Sequence, residues 1–200
     1  MNTRPACVTM SFVRVSGGTV RARELFVRSK GPDAWAKVLA EVSPQTREAA
    51  EAGILETRWY PYEILVDISS TADRVLGQGD MALCHEMGRF SCEVTLTTVH
   101  RLLLKFGNVG HLVERASTAW RTQFDKGEFV VHEKSPDLYI FEVRGVPDPS
   151  RAHCAAITGW MARAAELSGE DDFQYEEKCR ALGHPYCLWT FTRRPLPGFT

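Results

Sequence analysis

Apolar positions follow two regimes along the chain, with helical spacing through roughly the first two thirds and strict alternation towards the end. Val8, Met10, Phe12 and Arg14 share one face of a predicted opening strand, which Gly17 and Gly18 stop. After Pro32, the spacing of Trp35, Val38, Leu39 and Val42 predicts a buried helical stripe. Ser43 followed by Pro44 reads as the N-cap and first position of a short helix. Trp59-Tyr60-Pro61 begins a further helix, with Ile64, Ile68, Ala72 and Leu76 on one face and Gly77 as its stop. From Asp80 to Phe106 two apolar stripes run out of phase, Leu83, Met87, Phe90 and Val94 and then Cys92, Leu96, Val99, Leu103 and Phe106. They predict a long helix with a kink or break. Asn108 to Phe124 is one more helix, ended by Asp125-Lys126-Gly127.

Beyond Gly127 the period falls to two, with Phe129 and Val131 on one strand, Tyr139, Phe141 and Val143 on the next, and Ser135-Pro136-Asp137 as the turn between them. A helix over Arg151 to Leu167 carries Ile157, Trp160, Met161 and Ala164 on its apolar face. A hairpin then runs from Phe173 to Ala181, turns at Gly183-His184-Pro185 and returns over Tyr186 to Thr192. The expected fold class is α+β in a single domain over 1–200. A mainly helical half (1–127, after its first strand) packs on an antiparallel sheet with a C-terminal helix and hairpin (128–200).

Length and composition narrow the classes. Two hundred residues bury a sizeable core without staples, and 24 basic against 25 acidic side chains give no broad surface for a polyanion, which excludes nucleic acid as an expected partner. Arg14 interrupts the apolar start before a signal-peptide core forms, and no run reaches membrane-spanning length, so the expected location is cytoplasmic. The six cysteines are then expected as thiols or metal ligands rather than bridges.

Three of those cysteines carry the chemical signal. Cys154 opens the last helix, Glu176-Glu177-Lys178-Cys179 lies on the first hairpin strand and Cys187 on its partner. A hairpin makes Cys179 and Cys187 neighbours across its turn, and a helix packed on it presents Cys154. Three thiolates and a carboxylate complete a closed tetrahedral shell for zinc, structural because no position is left for water or substrate. Strand alternation puts Glu176 and Cys179 on opposite faces, so either a bulge near Lys178 brings Glu176 round or Glu177 is the ligand. Spacing alone leaves both open.

The string Ala119-Trp120 through Gly127, Cys154, Gly159-Trp160 and Glu176-x-x-Cys179-Arg180-Ala181-x-Gly183-x-x-x-Cys187 resembles the 4-vinyl-reductase domain family. That family is related to sensor domains of phenol- and xylene-responsive activators and to TRAPP Golgi-transport subunits. The N-terminal half, with Phe26-Val27, Trp59-Tyr60-Pro61 and Gly88-Arg89-Phe90, resembles a group of bacterial proteins, chiefly myxobacterial. The resemblance implies zinc on Cys154, Glu176, Cys179 and Cys187, and hence the bulge.

It also implies a pocket for a small hydrophobic or aromatic ligand, with Tyr60, His100, Trp120 and Phe124 as candidate lining, in a non-catalytic sensory module working through a homodimer or a partner protein. A dimeric TRAPP-like scaffold acting through its surface is the alternative. Against a reductase, the chain has no Gly-rich dinucleotide loop and no evident acid–base pair. His85-Glu86 starts a metalloprotease motif that Arg89 breaks, and Cys84 and Cys92 read as buried thiols.

Overall fold

A short strand, β1 (Arg14–Ser16), leads directly into α1 (Gly17–Ser29). The computed structural model describes residues 13–95, 109–135, 137–146, 150–169 and 172–193, with the backbone alone at 109–115. Ser16 caps α1, its hydroxyl accepting from the Thr19 amide at 3.4 Å, so the glycine pair expected to stop a strand begins a helix instead. Gly17 is there for closeness: a Cβ at that position would run into the Leu55 carbonyl oxygen.

Helices α2 (Ala34–Glu41) and α3 (Pro44–Glu51) follow, the latter capped by Ser43 with Pro44 in its first turn, as expected. Trp59-Tyr60-Pro61 is not a helix start. It forms β2 (Trp59–Pro61), which pairs antiparallel with β1, Val15 opposite Tyr60, leaving Trp59 exposed and Tyr60 buried in a period of two. The helix α4 (Tyr62–Leu76) begins just after it, burying Ile64, Ile68 and Ala72. The buried Asp73 carboxylate accepts from the amides of Met81 and Leu83, each at 2.9 Å, and so fixes the turn into α5 (Ala82–Thr95). The rest of the helix expected to reach Phe106 lies outside the described residues.

Helix α6 (Val109–Gln123) delivers the chain to the sheet of β3 (Glu128–Ser135), β4 (Leu138–Arg144), β5 (Phe173–Lys178) and β6 (Cys187–Arg193). Its strand order is β3-β4-β6-β5 and every pairing is antiparallel. Helix α7 (Arg151–Leu167), capped by Ser150, connects β4 to β5. Phe129, Tyr139, Phe141, Val143, Trp189 and Phe191 alternate onto the buried face and meet the helices there. The α+β class expected from the sequence is the observed one. A register shift falls between Val131 and Glu133 in β3, whereas β5 runs in register with β6 from Phe173 to Lys178, so the bulge expected near Lys178 is absent. Among the described residues, no helix is long and apolar enough to cross a membrane.

Two glycines let α5 and α7 pack in backbone contact. A Cβ at Gly88 would strike the Ala156 carbonyl oxygen, and one at Gly159 the His85 carbonyl oxygen. Gly88→Ala or Gly159→Ala is therefore expected to cost about 2–3 kcal/mol in urea unfolding, because the helices must separate to admit the methyl group. Gly18→Ala, where a Cβ meets nothing within 4 Å, should be neutral or stabilising by up to about 0.5 kcal/mol.

Candidate functional site

The helices and the inner face of the sheet do not close completely on each other. Between them lies a cavity of about 160 Å³, walled by side chains from α1, α5, α6, α7 and the sheet. Its lining is mostly apolar, and the aromatic rings contact one another. Trp120 stacks on Phe124 at 4.2 Å, and Phe141 lies 5.4 Å from Phe129 and 5.9 Å from Phe191.

Of the four pocket candidates, Trp120 and Phe124 line this cavity. Tyr60 does not. Its ring is buried at the β1–β2 ribbon and its hydroxyl accepts from the Leu55 amide at 2.8 Å. His100 lies outside the described residues.

His153 and Arg23 are among the polar lining residues that escape the sequence reading. His153, in the first turn of α7, places Nδ1 2.7 Å from the Tyr62 hydroxyl, and its ring lies 5.2 Å from that of Phe124 and 6.1 Å from that of Trp120. Burial, with a smaller contribution from the Arg23 charge, pushes its pKa down to about 3, so the ring is neutral. Burial also pushes the Tyr62 hydroxyl up. Arg23, on α1, is 5% exposed and donates from Nη1 to the Met87 carbonyl at 3.3 Å and to the Ser91 hydroxyl. Thr19, Ala22, Arg23 and Phe26 follow helical spacing, so Arg23 becomes visible as a core-facing residue once α1 is known to start at Gly17.

The three C-terminal cysteines do meet. Cys154, Cys179 and Cys187 are buried with their sulfurs within 4.8 Å of one another, and Cys154 Sγ lies 3.6 Å from Cys187 Sγ. A 3₁₀ turn at Arg180–Leu182 between β5 and β6 holds the latter two. It closes on Gly183, whose φ of 88° suits a residue without a Cβ. Hydrogen bonding from the Cys154 thiol holds Cys179 down to about 5, with help from the Ala181 amide and Arg151, and it also lowers Cys187. As the donor, Cys154 is pushed up. A buried cluster of three cysteines thus joins the start of α7 to the hairpin turn.

Glu176 does not join it. Its side chain is 70% exposed and points to Lys178 at 3.8 Å. Glu177, on the inner face, is held by Arg151 and by the Thr158 hydroxyl at 2.7 Å. Thr158 accepts in turn from the Trp189 indole at 2.7 Å.

No family model and no curated protein matches the chain by sequence. Solved structures of heme-binding H-NOX sensor domains do match in fold. The Fe(II) unliganded H-NOX protein from K. algicida is 12% identical with a TM-score of 0.69, over 92% of this chain and 100% of that one. The S. oneidensis H-NOX protein in its Fe(II)NO state is 14% identical with a TM-score of 0.64, over 90% and 99%. An oxygen-binding H-NOX domain related to soluble guanylate cyclases, in its oxygen complex, is 10% identical with a TM-score of 0.57, over 92% and 97%.

Identities this low establish the fold alone, and they correct two expectations. The structural neighbours are H-NOX domains, not 4-vinyl-reductase, phenol-sensor or TRAPP domains. Structural zinc falls with that kinship, because the neighbours are heme proteins and because the carboxylate needed to complete a four-ligand shell faces solvent.

The neutral His153 makes stability depend on pH. Its folded pKa of about 3 lies below the ordinary 6.5, so its contribution is fully present above 6.5 and is lost as pH falls from there towards 3. Between about pH 7 and about pH 4.5 the native protein should lose about 3 kcal/mol more than a His153→Gln variant in urea unfolding at each pH. Equal losses in the two proteins would contradict the buried neutral ring.

Proposed function

We propose that this chain is a non-catalytic sensory module that holds one small apolar or aromatic molecule in the cavity between helices and sheet, and reports its occupancy to a partner protein or a second copy. The cavity is the observation that carries this reading. An engineered cavity of about 150 Å³ takes up benzene or xenon, and the 160 Å³ here is of similar size with a mostly apolar lining. The one imidazole of the described lining is neutral and engaged with Tyr62. Among the described residues beside it there is no nucleophile–base pair of the kind an enzyme needs. The fold, shared with H-NOX sensor domains, supports a binding rather than a catalytic task.

Heme is the group the fold suggests, and the described residues do not fit it. Four pyrrole rings in one plane exceed a space of about 160 Å³, and the rings of Trp120, Phe124, Phe129 and Phe141 pack on one another along its wall. A space of this size suits a smaller ligand.

Binding to the native state alone raises stability by about 2.7 kcal/mol at a hundredfold excess over Kd. Toluene is therefore expected to raise the melting temperature by roughly 5–10 °C at that excess and to change the emission of Trp120 and Trp160, which border the cavity. Hemin should give no stoichiometric complex with a sharp Soret band. A 1:1 hemin complex with such a band, or no response to any apolar probe, would refute the proposal.

A further inference from the structure

Arg23 is the anomaly of the cavity wall. Its guanidinium is buried, its Nη1 donates to two neutral acceptors, Met87 O and Ser91 Oγ, and its Nε is buried with no hydrogen-bond partner. No carboxylate pairs with it among the described residues. Several other part-buried arginines do have one, although Arg47 and Arg180 donate to backbone carbonyls alone. Arg89 grips Glu166 through two bonds of 2.6 and 2.7 Å, Arg163 bonds Glu93 and Glu166 at 2.8 and 2.9 Å, and Arg151 holds Glu177. Even Glu24, the next residue along α1 and itself buried, is committed to Arg21 and Arg28. A buried charge is ordinarily paired, because removing it from water has a cost that only a counter-charge offsets.

We propose that the ligand of this cavity is a small aromatic or apolar molecule bearing a carboxylate, and that Arg23 is the buried cation that receives the carboxylate. The inference rests on the sensory reading above and deepens it by naming the ligand class. The guanidinium fork matches a carboxylate in shape and charge, and Arg23 borders the cavity with its buried Nε unpartnered. Ser91, Thr19 and Gln123 border the same cavity and place hydroxyl and amide groups at the polar end, with Thr19 Oγ1 3.4 Å from Gln123 Oε1. Aromatic and aliphatic side chains supply most of the rest of the lining, so the cavity is amphipathic in the sense that an aryl carboxylate is. Pinning α1 to α5 does not account for Arg23, since Nη1 alone makes both of those contacts. At neutral pH the group remains charged, although burial pushes its pKa down to about 10.

Benzoate and benzyl alcohol, one ring each with and without the anion, separate the possibilities. Calorimetric titration of the full chain should give benzoate at least about tenfold tighter binding than benzyl alcohol. Arg23→Met should abolish or reverse that preference, and Arg23→Lys, which keeps the charge without the fork, should retain part of it. Circular dichroism melts establish that each variant is folded, and the two probes on the native chain decide the matter if one variant is not. Equal or tighter binding of benzyl alcohol to the native chain would overturn the carboxylate assignment and leave the ligand cavity standing. Failure of both probes, and of toluene, to bind or to shift the melting temperature would overturn the cavity's function together with the inference.

Discussion

The close approach of α5 and α7 is the constraint on which the rest of the structure depends. Gly88 and Gly159 bring the two backbones into contact, and this fixes where every other residue of the two helices stands. From α5 come Ser91 and the Met87 carbonyl, the two acceptors that hold Arg23. From α7 come His153 and Ile157 on the cavity wall, Cys154 in the thiol cluster and Thr158 beneath Trp189. A wider crossing would move all of these together, since packed interiors deform as units. The cavity is thus a consequence of how tightly this pair packs and of how bulky the rings opposite it are.

Much of this was legible in the chain because the signals were local. Alternation of Phe129 and Val131, and of Tyr139, Phe141 and Val143, predicts strands wherever those strands pair, and Ser43-Pro44 caps a helix without help from its surroundings. The failures were at places where a partner distant in sequence decides. Gly17 and Gly18 read as a stop, yet Gly17 starts a helix because the 55–58 loop lies against it. Trp59-Tyr60-Pro61 read as a helix start, yet strand β1 captures it. Neither contact leaves a mark within a short window of sequence.

The candidate site divides along the same line. That Cys154, Cys179 and Cys187 converge follows from a hairpin and the helix packed on it, and the sulfurs do converge. The resemblance assigns the fourth ligand to Glu176, but strand alternation keeps Glu176 off the face of Cys179, and Glu177 does not reach the sulfurs either. Glu176 lies opposite Thr190 on the outer face, while Glu177 turns inward and is taken up by Arg151 and Thr158. A Cys, Glu-x-x-Cys, Cys string can thus recur without its carboxylate entering the cluster, where Cys154 lies within hydrogen-bond reach of Cys187.

Fold and ligand are separate decisions in such a scaffold. Helices laid across one face of an antiparallel sheet leave a gap that side chains either fill or leave open, and the likeness to H-NOX domains extends to that arrangement and no further. Here Trp120, Phe124, Phe129 and Phe141 line it, and about 160 Å³ stays open. What remains is bounded on one side by sheet strands and on the other by α1, α5, α6 and α7, so anything bound there touches both layers at once. A ligand shifts a conformational equilibrium only through contacts that differ between states. Contact with both layers is the geometry in which a change in their spacing alters the affinity most, and by reciprocity the geometry in which binding most strongly sets the spacing.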